Sequence, residues 1–319
     1  SRGLGDVYKR QFDARLSNIG TDGYIDRASV DLNSYYLQGG YFAENTSVKL
    51  IAFAGKEKTY HAWGYATKEE MEKFGRRYNP CGEMYTDADG NKHYYTDQTD
   101  NYLQKNYQLL LNHSFSTAWN LNVALHYTKG DGYYEEYKPG SSLVEYGLKP
   151  FNPDGTETNE SDLVRQKKMD NKFGGGVFSL NYTGNRLTAS LGGGLNQYRG
   201  NNFGKVTWVK NYIGNLSPEH EYYRNKSKKT DGNIYLKANY DLTSTLSAYA
   251  DLQYRHIDYT IDGVNDKYDW NKNALRPLAV DKKFDFFNPK VGLNWNITPN
   301  HHLYASFSVA QKEPTRNNY

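Results

Sequence analysis

Residues 107–128 read "YQLLLNHSFSTAWNLNVALHYT". In its second half Trp119, Leu121, Val123, Leu125 and Tyr127 alternate with Asn120, Asn122, Ala124, His126 and Thr128, the period-2 pattern of a strand with one oily and one polar face. Folding the first half back around a turn at Ser116, Thr117 and Ala118 sets Phe115 opposite Trp119, Leu111 opposite Val123 and Tyr107 opposite Tyr127. The other face then pairs Asn112 with Asn122 and Gln108 with His126. Like meets like on both faces, and a one-residue slip would scramble both.

The same construction predicts three more hairpins. A turn at Thr243, Ser244 and Thr245 places Leu242 against Leu246, Ala238 against Ala250 and Leu236 against Leu252, with Lys237 opposite Asp251 as a cross-strand ion pair. Around Thr298, Pro299 and Asn300, Trp295 meets Leu303, Val291 meets Phe307 and Asn294 meets Tyr304. Around Gly184 and Asn185, Phe178 meets Leu191 and Tyr182 meets Leu187, a register that sets Gly175 opposite Gly194 on the polar side and Gly176 opposite Gly193 on the oily side. Glycine facing glycine predicts a bare patch of wall. A further turn near residues 44–46 joins strands near 28–42 and 47–58, and another strand lies near 11–19.

The pattern gives about eleven strands of about 10–15 residues, against about 5–6 in soluble folds and the 9–11 or more that a tilted strand needs to cross a bilayer. Turns of two to four residues at one end alternate with long polar segments near 59–100, 132–166, 200–229 and 260–283 at the other. This is the connectivity of an outer-membrane barrel. It also reconciles a mean hydropathy of -0.89 with 31 tyrosines: half of every wall faces a polar lumen, and tyrosine suits a membrane–water interface. Disorder is disfavoured by the aromatics, a transmembrane helix by the lack of a long apolar run, and nucleic-acid binding by a net charge of only +3. The single Cys81 permits no internal disulfide. A soluble sandwich would not place every long loop at one end.

Residues 1–10, "SRGLGDVYKR", carry neither a leader pattern nor alternation, and are read as a non-native translated stretch. Alternation stops near Ala310 in the closing "VAQKEPTRNNY". The expectation is therefore a partial barrel over residues 11–319. Within it, "SYYLQGGYFAENTSVKLIAFAGKEKTYHAWGY", "TDQTDNYLQKNYQLLLNHSFSTAWNLNVALHYTKGDGYYEEYK" and "VAQKEPTRNNY" resemble the barrel of TonB-dependent outer-membrane receptors, particularly those of Bacteroidetes. The resemblance implies an all-β, antiparallel up-and-down transmembrane barrel of about 22 strands, of which about half is here without the plug domain or a TonB-box segment. It implies energy-coupled uptake of a scarce nutrient complex, foremost an iron–siderophore, driven by the TonB–ExbB–ExbD complex through that plug. Lipid and lipopolysaccharide of the bacterial outer membrane are the implied surroundings, with no cofactor. A passive porin-like channel and a surface β-rich binding module are the alternatives.

For a site, the 59–100 segment holds Thr67 and Glu70 at capping-box spacing, predicting a helix over about 67–76 and then a hairpin turning at Asp89-Gly90. The "DADGN" within it lacks the remaining ligands of a calcium loop and is read as that turn. Trp63, Tyr65, Arg76, Arg77 and Tyr78 are expected to face a ligand, aromatics stacking on a catecholate-like plane and Arg pairing with its anionic oxygens. Tyr133 and Tyr134 join them. Arg224, Lys226 and Lys228 in "YYRNKSKK" are expected to attract an anionic ligand or lipopolysaccharide phosphates. Gln108, Asn112, Asn122, His126, Gly175, Gly194, Lys237 and Asp251 are expected on the lumen wall. No set of residues predicts a metal centre or a catalytic Ser-His-acid arrangement, so the chain is not read as an enzyme.

Overall fold

A computed structural model describes residues 9–148, 158–210 and 220–314. Eleven strands form one antiparallel sheet in chain order: β1 (Arg10–Thr21), β2 (Val30–Phe42), β3 (Thr46–Tyr60), β6 (Thr99–Ser114), β7 (Trp119–Ser142), β8 (Glu160–Thr183), β9 (Leu187–Val209), β10 (Glu221–Asp241), β11 (Leu246–Asp269), β12 (Ala274–Thr298) and β13 (His301–Ser308). Between β3 and β6 the chain builds a separate lid: helix α1 (Lys68–Phe74) and a small hairpin of β4 (Glu83–Thr86) and β5 (Lys92–Tyr94). β1 and β13 are not paired with each other, so the sheet is an open arc of a barrel.

Three of the hairpins adopt the register that face-matching predicts. Leu111 lies opposite Val123, Asn112 opposite Asn122 and Gln108 opposite His126; Ala238 opposite Ala250 and Lys237 opposite Asp251; Trp295 opposite Leu303 and Val291 opposite Phe307. The hairpin at 184–185 is corrected by two residues: Leu180, not Phe178, faces Leu191, and Phe178 faces Gly193. Its loop runs over four residues, Gly184–Leu187, closed by the Gly184 N–H donating to the Leu187 carbonyl at 2.8 Å. The slip sets the bulky Phe178 and Tyr182 against Gly193 and Ala189, relieving the crowding that two large residues on each rung would cause. A shift of two preserves every face.

The same slip abolishes the glycine-on-glycine patch. Gly175 lies between His126 on β7 and Asn196 on β9, and with no side chain intervening the His126 imidazole Nε2 and the Asn196 side-chain oxygen meet over it at 2.7 Å. The Tyr235 hydroxyl occupies the space a Cβ on Gly192 would take. The wall there is thin in backbone but covered by neighbours.

The strands also correct the expected lengths. β7 to β12 run for 21–25 residues, so most of the segments expected as loops at 132–166, 200–229 and 260–283 are ladder. Hydropathy could not show this, because above the apolar zone both faces are polar and alternation loses its contrast. At the top of β8 to β10, the turn at Leu143–Tyr146 folds inward, and Leu143, Tyr146, Leu148, Leu163, Val206, Tyr222 and Tyr223 form a buried cluster.

One outward series on each strand is apolar over a limited span and charged beyond it. On β7 the span is Trp119, Leu121, Val123, Leu125 and Tyr127, followed by Lys129 and Asp131; on β12 it is Trp295, Leu293, Val291, Pro289 and Phe287, followed by Asp285 and Lys283. Trp119, Leu125, Tyr127, Trp295 and Phe287 are all exposed. Nine residues at about 3.3 Å each, on strands tilted about 40°, cover roughly 20–25 Å, the height of a lipid-facing band. No helix among the described residues is long and apolar enough to cross a membrane; the crossing is made by strands. In a Cys81→Ser background, the pair Asn181→Cys and Ser190→Cys, directly opposed on the polar face, is expected to cross-link on oxidation. Ser179→Cys with Ser190→Cys is expected not to, since diagonal positions exceed disulfide reach; gel mobility under non-reducing conditions reads both.

Candidate functional site

The polar face is concave. Lys167 on β8 forms an ion pair with Asp266 at the top of β11, although two strands lie between them, a flat-sheet separation of about 14 Å at about 4.8 Å per strand. Only a face curling inward brings them together, so this face lines the lumen. Low on it, Asn112 donates to Asn122 at 2.6 Å, and Asn122 donates to Asn120 at 2.8 Å and to Ser179 at 3.3 Å. Higher up, the Thr128 hydroxyl donates to Asn106 at 2.8 Å. Lys237 and Asp251 pair at 3.5 Å. Arg255 holds Asp231 with both Nε and Nη2 and reaches Glu313 at 3.1 Å, which also accepts from Lys229. Thus residues beyond β13 fold back over the inner wall, seated also by the Val309 N–H on the Pro289 carbonyl at 2.9 Å.

At the rim the lid straddles the wall. β7 outruns β6, and the Tyr137 N–H left without a strand partner donates to the Gln98 side-chain oxygen at 2.8 Å. The lid's own fold rests on Asn79, only 1% exposed: its amide donates to the carbonyls of Asp26 at 3.0 Å and His61 at 2.9 Å, and its oxygen accepts the Cys81 N–H at 3.0 Å. Arg27 stacks its guanidinium 3.4 Å from the centre of the Tyr94 ring and donates to the Asn79 carbonyl. Helix α1 carries the full capping box, the Glu70 N–H donating to Thr67 Oγ1 at 3.2 Å and the Thr67 N–H to Glu70 Oε2 at 2.7 Å; those bonds hold the Glu70 carboxyl below its ordinary pKa. In the hairpin turn, bonds from His93 and from the Asn91 backbone bring Asp87 down to about 2.

On the lumen side of this rim, His61 stacks on Trp63 with ring centres 3.9 Å apart, and Tyr134 meets both edge-on at 5.9 and 5.6 Å. His61 is 2% exposed with neither ring nitrogen bonded, and burial lowers its pKa, opposed by Glu136 and Asp100. Beside it, directly opposite Tyr134, Lys167 lies 5.6 Å from the Tyr134 ring, and one lumen-facing position further up Arg165 grips Glu136 at 2.8 and 2.9 Å while donating to the Tyr146 hydroxyl at 3.1 Å. The result is an aromatic shelf flanked by two ion pairs, Lys167 with Asp266 and Arg165 with Glu136, at the mouth of a polar shaft.

Residues 55–319 match the family described as TonB dependent receptor-like, beta-barrel. The chain belongs to that family. Among solved structures, the ferric-catecholate import receptor Fiu from E. coli K12 in its open form superposes with a TM-score of 0.64 at 12% identity, over 96% of this chain and 51% of that one. The unliganded ferric citrate transporter FecA gives 0.59 at 10% identity, over 92% and 38%. The ferripyoverdine receptor of the Pseudomonas aeruginosa outer membrane gives 0.58 at 14%, over 96% and 39%. This chain spans about half or less of the length of those structures. No curated protein matches the sequence. The family places the barrel in the bacterial outer membrane, in a class of transport receptors.

Within this receptor barrel the expected ligand residues divide. Trp63 and Tyr134 come together on the lumen side. Tyr65 and Arg76 stand exposed on the lid. Arg77 and Tyr78 have partners within the protein: Arg77 pairs with Asp26 in the loop between β1 and β2 at 3.2 Å, and the buried Tyr78 packs on Phe74 and donates to Glu83 at 3.2 Å. Tyr133, Arg224, Lys226 and Lys228 fall on the outward series, because strand parity turns them from the lumen; Arg224 is held by Glu221 at 2.6 Å and stacks on Phe203. All eight expected wall residues lie on the lumen series. Unforeseen were His61, Arg165, Lys167 and Asp266. His61 continues the inward alternation of β3 and was findable by parity, whereas the 99-residue gap between Lys167 and Asp266 leaves no local trace.

Asn79→Ala is expected to leave two carbonyls and one N–H unpaired and to loosen the lid by about 2–4 kcal/mol, read as faster amide exchange over residues 61–98 with the sheet unchanged. For His61, the opened lid has the ordinary value of 6.5 and the closed lid a lower one, so the opened form binds more protons on acidification. Lid stability is expected to be full above pH 6.5 and to fall as pH drops from 6.5 through the closed-state value. His61→Phe should flatten that pH dependence of exchange.

Proposed function

We propose that the chain is the ligand-capturing half of an energy-coupled receptor for an iron–siderophore complex, of the type found in Bacteroidetes. The observation that carries this reading is the shelf of His61, Trp63 and Tyr134 beside Lys167 and Arg165, at the mouth of a hydrogen-bonded shaft whose outer surface is lipid-facing. Flat aromatic rings stack on planar chelating groups. Lys167 and Arg165 beside them offer charged donors that would re-pair from Asp266 and Glu136 to the oxygens of a ferric catecholate or carboxylate chelate, and Arg76 on the lid adds a guanidinium that is free to swing toward it. A porin-like channel would need no aromatic shelf. The reading includes strands outside this chain that close the arc, since open edges are not tolerated in lipid, and a plug through which the TonB–ExbB–ExbD complex supplies work.

The test is binding by the intact receptor, reconstituted in detergent, of a ferric catecholate, ferric citrate and cobalamin. The ferric catecholate is expected to bind, with Trp63→Ala and Tyr134→Ala each weakening it about five- to tenfold, as the loss of one stacking contact of about 1 kcal/mol requires. Exclusive binding of cobalamin would remove iron chelates as the cargo, and affinities untouched by both variants would remove the shelf as the capture site.

A further inference from the structure

The outward face carries a second array of cations that the capture of cargo does not use. Lys105, Lys129, Lys172, Arg199 and Lys228 stand directly opposite one another across five consecutive strands, β6 to β10. All five are exposed. Cross-strand neighbours sit with Cβ atoms about 4.5–5.5 Å apart, where like charges repel. Yet none of the five forms an ion pair with any described carboxylate; Arg199 donates only to the Gln197 side chain, at 2.7 Å. Asp131 and Asp170 occupy the next outward row, opposite each other, and Asp262 faces Lys226 beyond them. Those carboxylates form no ion pair with the row and offset only part of its charge. The array ends cleanly: the same rung continues to Ala54 on β3 and to Thr260 on β11.

Its height is informative. Lys105 and Lys129 come one outward position after Tyr107 and Tyr127, a directly opposed pair of tyrosines at the upper border of the lipid band. Arg199 comes two outward positions after Leu195, and Lys228 three after Ile234. On strands tilted about 40° and spaced about 4.8 Å, a rung crossing five strands climbs about 12 Å. The row therefore starts at the level of lipid headgroups and rises beyond one headgroup's depth of about 5–8 Å. Beside it, Lys172, Arg199, Lys226 and Lys228, together with Asp170 and Asp262, line a shallow outward groove with an excess of positive charge.

We infer that this oblique row is a binding site for the phosphorylated headgroup of an anionic outer-leaflet lipid, one whose phosphates lie at more than one depth. Five cations bordering an apolar band, none of them ion-paired and outnumbering the carboxylates beside them, favour an anion that is itself anchored in the band. A phosphorylated glycolipid meets both demands; a free anion meets only the first. The inference rests on the membrane reading of the outward face and is independent of which cargo the lumen carries.

The test is competition among lipids for the intact receptor, followed by native mass spectrometry, with bis-phosphorylated lipid A, phosphatidylglycerol and phosphatidylcholine supplied at equal concentration. Lipid A is expected to be retained over phosphatidylcholine, with phosphatidylglycerol between them. In the combined variant Lys129→Gln, Lys172→Gln, Arg199→Gln that preference is expected to fall at least fivefold, from about 1 kcal/mol per interfacial cation reduced by screening. A matched variant on the lumen face, Lys49→Gln, Lys282→Gln, Lys290→Gln, removes equal charge and is expected to keep the preference; heat-modifiable gel mobility confirms folding of both. An unchanged preference in the outward variant, an equal loss in the lumen variant, or displacement of lipid A by inorganic phosphate would each overturn the proposal. Binding of the ferric catecholate, measured on the same samples, reports separately on the cargo reading.

Discussion

Every backbone N–H and C=O that enters hydrocarbon must find its partner inside the protein, and that demand fixes the continuous strand pairing of this sheet. Once strands are paired along their length, side chains have only two directions to take, and each strand must decide residue by residue what meets lipid and what meets water. The inner asparagine ladder, the outer band from Trp119 to Tyr127 and the long-range pair of Lys167 with Asp266 all follow from that partition. Packing of a conventional core plays a small part. The buried apolar cluster around Leu143 and Tyr222 sits at the rim, where the wall has left the membrane and must be stiffened by other means.

The hairpins were legible because period-2 alternation is strong wherever one face is oily. It failed in two informative places. At Gly184 the oily faces remain matched under a slip of two, so hydropathy alone leaves the register degenerate, and side-chain volume decides it by setting Phe178 against Gly193. Above the band, lysines, tyrosines and aspartates occupy both faces, and strands such as the upper half of β7 look like loop to a reading based on contrast. The lid shows the reverse case. Its helix and turn were readable from Thr67, Glu70 and Asp89-Gly90, since capping and turn chemistry are local. Its attachment through Asn79, Arg27 and His61 was not, because those contacts join residues far apart in the chain.

The same logic sorts the ligand residues. A tyrosine pair such as Tyr133 and Tyr134 is one unit to composition and two opposite surfaces to a strand. Tyr134 faces the shaft, Tyr133 the surroundings, where Lys168 covers its ring at 4.7 Å. The basic run Arg224, Lys226, Lys228 likewise points outward on alternate positions, while the adjoining Lys229 points in and holds Glu313. Clusters of charge in a strand are therefore two populations with different partners, and their function is assigned only once parity is known.

The long upper strands change how a solute would meet this protein. β7 continues for about 13 residues past Lys129, a projection of roughly 30 Å above the lipid at about 3.3 Å per residue and the usual tilt. A molecule gliding along the cell surface would strike the outside of a chimney, not its opening. For a barrel closed by further strands, the inner wall would be reached from above the strand ends, from the bulk medium more than from the membrane plane.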